Sequence, residues 1–277
     1  MSLTRIALVQ QPASTDRDEN RRRGIAAVER AALDGAKLVC FGELAFDPFY
    51  PQEPATEYTL ARAERVPGPT IEPFLELARA LGVVIVMNVY ELDGDLRYDT
   101  SPVIDADGSI LGKTRMVHIA DYKYFHERGY YAPGDTGAPV YDTAIGPVGV
   151  AICYDRHFPE YMRALALGGA KLVVVPQAGA LGEWPEGLFE AEMRVAAFQN
   201  GYYTALCNRT GAESKLAFAG ESFVCDPAGK VIARAGRMSE ELLMCDINLD
   251  NVDESHARRL FLPDRRPELY GAWFAGR

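Results

Sequence analysis

Residues 143–163 read TAIGPVGVAICYDRHFPEYMR. The apolar run Val148–Ile152 predicts a buried strand that stops at Cys153. After a short polar turn, Pro159 opens a helix at the position where a missing N–H costs nothing. A thiol therefore stands where a core strand ends and a helix begins, facing free backbone N–H groups and the positive end of a helix. Such surroundings predict a lowered thiol pKa and ready donors for an oxyanion, which is the setting of a nucleophile. Cys40, Cys207, Cys225 and Cys245 fit the alternative, a buried structural cysteine, better than Cys153 does.

On both sides of this stretch strands alternate with helices. Upstream, Ile6–Val9 predicts a first strand, Asp18–Leu33 a helix ending at Gly35, Lys37–Phe41 a buried strand, Ile71–Leu81 a helix stopped by Gly82, and Val83–Tyr90 a strand. Asp99–Val117 reads as a hairpin turning at Asp107-Gly108. Downstream come a helix (Pro159–Leu167), a strand (Leu172–Val175), a helix (Glu186–Asn200), a strand (Tyr202–Asn208) and a second hairpin, Ser222–Ala233, turning at Asp226–Gly229. The two halves echo one another. An α/β fold follows: either two sheets packed face to face with helices outside, a four-layer α-β-β-α sandwich, or one doubly wound sheet. Arg258–Arg277, aromatic and charged without clear periodicity, is expected to be an extended tail.

The bulk properties narrow the function. The 277 residues hold no linker or low-complexity block, so one domain is expected. A net charge of −10 without a basic stripe argues against nucleic-acid binding. No apolar run reaches the length of a membrane span. Five cysteines, an odd number without paired spacing, point to a reducing, cytoplasmic setting. Neither the cysteines nor the four histidines have metal-ligand spacing, so no metal is expected.

A thiol nucleophile needs a base and a means of holding an oxyanion. Glu43 follows the apolar strand LVCFG at its C-terminal end, the usual side for sites in α/β sheets. Glu127 sits in the aromatic loop DYKYFHERGYY, where desolvation raises a carboxylate pKa. Arg156 and His157, just past Cys153, read either as contacts for a substrate carboxylate or as a surface arginine and a helix-capping histidine.

Glu43 in FGELAFDPFYP, Glu127 in HERGYYAPGDTG and Cys153 in GVAICYDRHFPE together resemble the nitrilase superfamily of carbon–nitrogen hydrolases. The segments GALGEWPEGLFEAEMRVAAFQNGYYTALCNRTG, FAGESFVCDPAGKVI and FLPDRRPELYG extend the resemblance over nearly the whole chain. Within the superfamily it is nearest the N-carbamoyl amide hydrolases, with CYDRHFPE and residues 182–194 similar to the β-ureidopropionase pattern and PGDTG and RRPELYG to the N-carbamoylputrescine amidase pattern. The resemblance implies the four-layer sandwich over 1–250, with a C-terminal helix and extended tail over 251–277 at a subunit interface of a homodimer or larger homo-oligomer. It implies Glu43 as general base, Cys153 as nucleophile and Glu127 as supporting acid, acting on a small amide or ureido compound without a cofactor. Tyr154, Arg156, His157 and His118 are the side chains expected to line the substrate.

The family also has a lysine, in a tract that reads GKTRMVHIAD here. His118 matches the family's histidine, which puts Met116 at the lysine position, and methionine neither donates a hydrogen bond nor carries charge. Three explanations compete. Lys123, four residues before Glu127, stands in for it if the tract makes a helical turn; Lys113 is expected on the opposite strand face. Alternatively the backbone N–H after Cys153 suffices at a reduced rate, or hydrolysis is lost and the pocket only binds.

Overall fold

The computed structural model describes residues 3–275. The first half runs β1 (Thr4–Gln10), α1 (Arg17–Leu33), β2 (Leu38–Phe41), a short α2 (Glu57–Leu60), α3 (Glu72–Leu81), β3 (Val84–Val86), β4 (Val89–Asp93), β5 (Leu96–Ile104) and β6 (Ile110–Arg115). Local chemistry sets the ends. The Asp16 side chain accepts from Glu19 N and caps α1, and α3 stops on Gly82, held at φ 63°. The second half runs β7 (Val140–Thr143), β8 (Gly146–Val150), α4 (Pro159–Leu167), β9 (Leu172–Gln177), α5 (Leu188–Asn200) and β10 (Tyr203–Asn208). A hairpin of β11 (Thr210–Ala212) and β12 (Ala217–Ala219) follows, then β13 (Phe223–Cys225), β14 (Val231–Arg234), β15 (Glu241–Ile247) and α6 (Pro267–Phe274).

The strands form two separate sheets. One has the order β15-β1-β2-β3-β5-β4 with β6 also on β5, the other β14-β13-β10-β9-β8-β7. Alternation decides which way each residue points. Ile6, Leu8, Leu38 and Cys40 face inward and pack with Val148, Val150, Leu172, Val174 and Ala205 of the second sheet in one buried cluster. Ala7, Val9, Val39 and Phe41 face outward, under α1 and α3. Val173, Val175 and Leu206 face outward on the other side, under α4 and α5. Two sheets with helices outside are the four-layer α-β-β-α sandwich, and the single doubly wound sheet is excluded.

Three expectations need correction. The first sheet is not built by the first half alone: β15, unpredicted, pairs antiparallel with the whole of β1, from Thr4↔Ile247 to Gln10↔Glu241. The predicted strand Val83–Tyr90 is split in two, although both pieces keep one register on β5 (Val86↔Val103, Val89↔Thr100). Pro102 faces the gap and has no N–H to give to the ladder. The C-terminal stretch has the helix expected over 251–277, but helix also takes the place of the extended tail. It folds as a π-helical turn at Ala257–Phe261 and then α6. The last two residues of that prediction, 276 and 277, lie outside the described residues.

Candidate active site

Glu43 follows the end of β2, where the two sheets come close. Its N–H donates to the Gln177 carbonyl at 3.3 Å, and Arg209 N donates to the same oxygen at 3.1 Å. Gly42 makes this approach possible, because a Cβ there would lie 2.9 Å from Arg209 N. The next residue, Leu44, has φ 44°, and its N–H donates to Asn88 Oδ1 at 2.8 Å. The turn thus aims the Glu43 carboxyl into the space between the sheets, where it is fully buried.

Cys153 begins a 3₁₀ turn, Cys153–His157, between β8 and α4. Its φ is 41°, a left-handed conformation that is uncommon for a residue with a side chain and that clusters at functional sites. Three interactions hold the turn. Asp155 is buried and its carboxylate accepts from Val117 N (3.2 Å), His118 N (2.9 Å) and His118 Nδ1 (2.7 Å). Arg156 Nη1 donates to the Cys153 carbonyl at 2.7 Å and to Gln177 Oε1 at 2.9 Å. The His118 ring stacks on Phe158 with centroids 3.5 Å apart. The Tyr154 N–H is one of the groups that a helix start leaves without an intrahelical acceptor.

Glu127 enters from the aromatic loop after β6. One of its oxygens accepts from Ala120 N at 3.1 Å, and the other, buried, has no partner. The loop is closed by a bridge between Tyr122 and Phe125. Tyr122 also donates to Glu183 Oε1 at 2.6 Å, and its ring meets Trp184 with centroids 5.7 Å apart.

The electrostatics link these parts. Burial pushes Glu43 up to about 8, and the negative Glu127 nearby pushes the same way. Burial also drives Glu127 well above the carboxylate range, with Asp99 the largest charge acting on it. The Cys153 thiol is raised as well, first by burial and then by Glu43 and Glu127, while Arg156 opposes. The expectation of a lowered thiol pKa is therefore corrected. The turn is short, the sulfur is desolvated and its nearest charges are acids. Burial and mutual repulsion thus shift the thiol and the carboxyls in the same direction, toward their neutral forms.

Glu43, Glu127 and Cys153 are brought together from three distant parts of the chain. Lys123 is not brought in. The tract makes a tight turn rather than a helical one, and Lys123 is exposed with its ammonium over the Tyr124 ring, 4.9 Å from the centroid. Lys113 lies on the opposite strand face, as expected, and pairs with Glu91. Met116 is fully buried, and its N–H donates to the Asp99 carbonyl at 2.9 Å. Arg156 is engaged through Nη1, while its buried Nε and Nη2 make no hydrogen bond. It is buried, bound to the Cys153 carbonyl, 3.3 Å from Glu192 and over the Phe189 ring. His157 is likewise held, with Nδ1 2.5 Å from Glu192. His118 clamps the Met116 tract to the Cys153 turn, and His157 Nε2 is buried without a hydrogen-bond partner. Tyr154 is half-buried, with its ring near Tyr122 and His157.

One acid was missed. Asp99, taken only as the start of a hairpin, is buried on β5 opposite Tyr90 and in line with Met116. Asn88 Nδ2 donates to its Oδ1 at 2.5 Å, so Asn88 joins Asp99 to the Glu43–Leu44 turn. Burial and the neighbouring Glu43 raise the Asp99 carboxyl well above its usual range. Its sequence signal was alternation: Asp99 shares the inward parity of Ser101 and Val103.

The four-layer sandwich thus brings a cysteine in a left-handed turn together with two buried glutamates. Residues 5–257 match the family model described as carbon-nitrogen hydrolase, and the chain belongs to that family, whose members cleave carbon–nitrogen bonds. It is 34% identical to the N-carbamoylputrescine amidase of Solanum lycopersicum, over 97% of this chain and 94% of that protein. Its fold is similar to the crystal structure of a carbon-nitrogen hydrolase from Helicobacter pylori G27, with TM-score 0.89, 28% identity and 98% of each chain covered. It is similar also to a mutant amidase from Nesterenkonia sp. that carries the acetamide moiety of fluoroacetamide covalently at its active site cysteine. There the TM-score is 0.83 and the identity 28%, covering 98% of this chain and 96% of that one.

Proposed function

We propose that the protein hydrolyses a non-peptide carbon–nitrogen bond of a small linear amide or N-carbamoyl compound through a covalent intermediate on Cys153. The observation that carries this reading is the convergence of buried Glu43 and Glu127 on a cysteine held at φ 41°. Glu43 takes the thiol proton as sulfur attacks the carbon and then passes it to the departing nitrogen. Water, activated by the same carboxylate, releases the acyl or carbamoyl group. Glu127, fixed by Ala120 N, orients the site. Ammonia release from a panel of ureido acids, amides and nitriles tests the proposal. Release with at least one class, abolished in Cys153→Ala, supports it, and no release from any class removes it.

Met116 favours a second reading, a binding protein on the same scaffold. In that case Cys153 reacts with a dilute alkylator as an ordinary buried thiol and Met116→Lys brings turnover where the native chain has none. We propose further that the chain pairs with a second copy. Exposed Phe198 of α5 meets exposed Phe261 with centroids 5.4 Å apart, and exposed Leu260 is its neighbour in sequence.

A further inference from the structure

We propose that the substrate itself brings the positive charge that Met116 leaves out: its reacting carbon is that of an amidinium or guanidinium group, whose N–H donors go to Glu43, Asp99 and Glu127. This narrows the substrate class of the site above and rests on that reading for the hydrolytic step.

Both oxygens of Glu43, Oδ2 of Asp99 and Oε1 of Glu127 are buried and accept from no N–H group among the described residues; Glu43 has only Asp99 and the Cys153 thiol within hydrogen-bonding reach. Glu43 and Glu127 act on the Cys153 sulfur, and Asp99 acts on Glu127 and lies beside Glu43. The Tyr131 hydroxyl is a separate unpartnered group, fully enclosed and under the influence of Asp99, Glu43 and Glu127. A neutral amide or urea brings a further acceptor, its carbonyl, into this group of acids, and Met116 adds no donor for it. An amidinium or guanidinium presents N–H donors only, in a planar fork that carboxylates accept two at a time.

The cations nearby are engaged with backbone carbonyls or other acids, and only Nε and Nη2 of Arg156 and Nε of Arg209 are left without a hydrogen bond. Arg156 donates to the Cys153 carbonyl, and Arg209 to the carbonyls of Glu43, Leu44 and Asp47. Arg115 faces away from the sulfur, on Glu91 and Asp135. No lysine is buried among the described residues. Burial holds the three carboxyls above their usual range, and a bound cation pushes them back down, favouring release of protons. A lysine in place of Met116 would repel the same ligand.

The chemistry balances. The Cys153 S–H proton moves to Glu43 as the sulfur bonds to the guanidinium carbon. Glu43 returns the proton to one nitrogen, which leaves as ammonia when its C–N bond breaks, and a positively charged S-linked isothiourea remains. Water adds to that carbon through Glu43, the C–S bond breaks and the thiol is restored. The net change is alkylguanidinium plus water to alkylurea plus ammonium; an amidinium gives an amide in the same way.

Two isosteric pairs test this: propylguanidine against propylurea, and acetamidine against acetamide. Titration calorimetry on Cys153→Ala, in two buffers of different ionisation enthalpy, is expected to show each cation bound at least about tenfold more tightly than its neutral partner, with protons released to the buffer. Met116→Lys is expected to reverse the preference. Asp99→Asn, nearly isosteric with the native residue, is expected to abolish it even if the lysine variant does not fold. Equal or tighter binding of the neutral partners, or no binding of any of the four, overturns the inference. Native enzyme that releases ammonia faster from propylurea or acetamide overturns it while leaving the hydrolase reading intact. Preferential binding of the cations with no ammonia from any compound upholds the charge preference and removes the hydrolase reading.

Discussion

Cys153 and Glu43 are each costly to hold as they are, one by its backbone, the other by its burial. Replacing Cys153 by Ser keeps the size of the side chain but removes the good nucleophile. Turnover is expected to fall by at least about 10⁴-fold, with an unchanged far-ultraviolet spectrum and melting temperature. Loss of the fold would instead make Cys153 a packing residue. Glu43, pushed up to about 8, gives two pH effects with opposite signs. Its folded pKa lies above its unfolded one, so unfolding releases a proton between the two values. Stability is full at acid pH and falls as pH rises through about 8, by on the order of a few kcal/mol. Activity rises over the same interval because the base must be ionised. Melting curves from pH 5 to 9 on the native chain and Glu43→Gln check the first effect. The variant is expected to show a shallower decline, and identical slopes would remove the assignment.

At the scale of elements, the site depends on a close approach and a clamp. In Gly42→Ala the added Cβ meets backbone atoms of Arg209 and Asn208, so the end of β2 must move away from β9 and β10. Stability is expected to drop by about 1–3 kcal/mol, and kcat by about tenfold or more as Glu43 is displaced. Asp155→Ala loses the acceptor that serves two backbone N–H groups and His118. A loss of about 1–3 kcal/mol, measured by urea denaturation, is expected. An effect of less than half a kcal/mol would mean that the Cys153 turn stands without the clamp. Elements that carry their own signals were legible in the sequence: α4 runs from Pro159 to Leu167 as its opening proline predicts. Glu43 and Cys153 were legible because each follows an apolar strand. Asp99 was not, since its role depends on pairing with β4 and β6, and Lys123 was misplaced because a helical turn was assumed where Tyr124, at φ 66°, makes a tight one.

For the whole molecule, the sandwich joins acids from one sheet to a sulfur from the other, and β15 secures the arrangement by bringing the chain's end back onto β1. That return was invisible locally because Glu241–Ile247 gains its meaning only from a partner more than 200 residues away. Phe261→Asp is expected to convert a dimer to a monomer in light scattering, and a native chain that is already monomeric would remove the proposed pairing. The central claim, that Cys153 forms a covalent bond with its substrate, is tested most directly by rapid acid quench during turnover, followed by intact mass and peptide mapping. The expected result is an adduct of the acyl, carbamoyl or amidino fragment on the peptide containing Cys153. Steady ammonia release with no adduct there, or with the adduct on another residue, would contradict it.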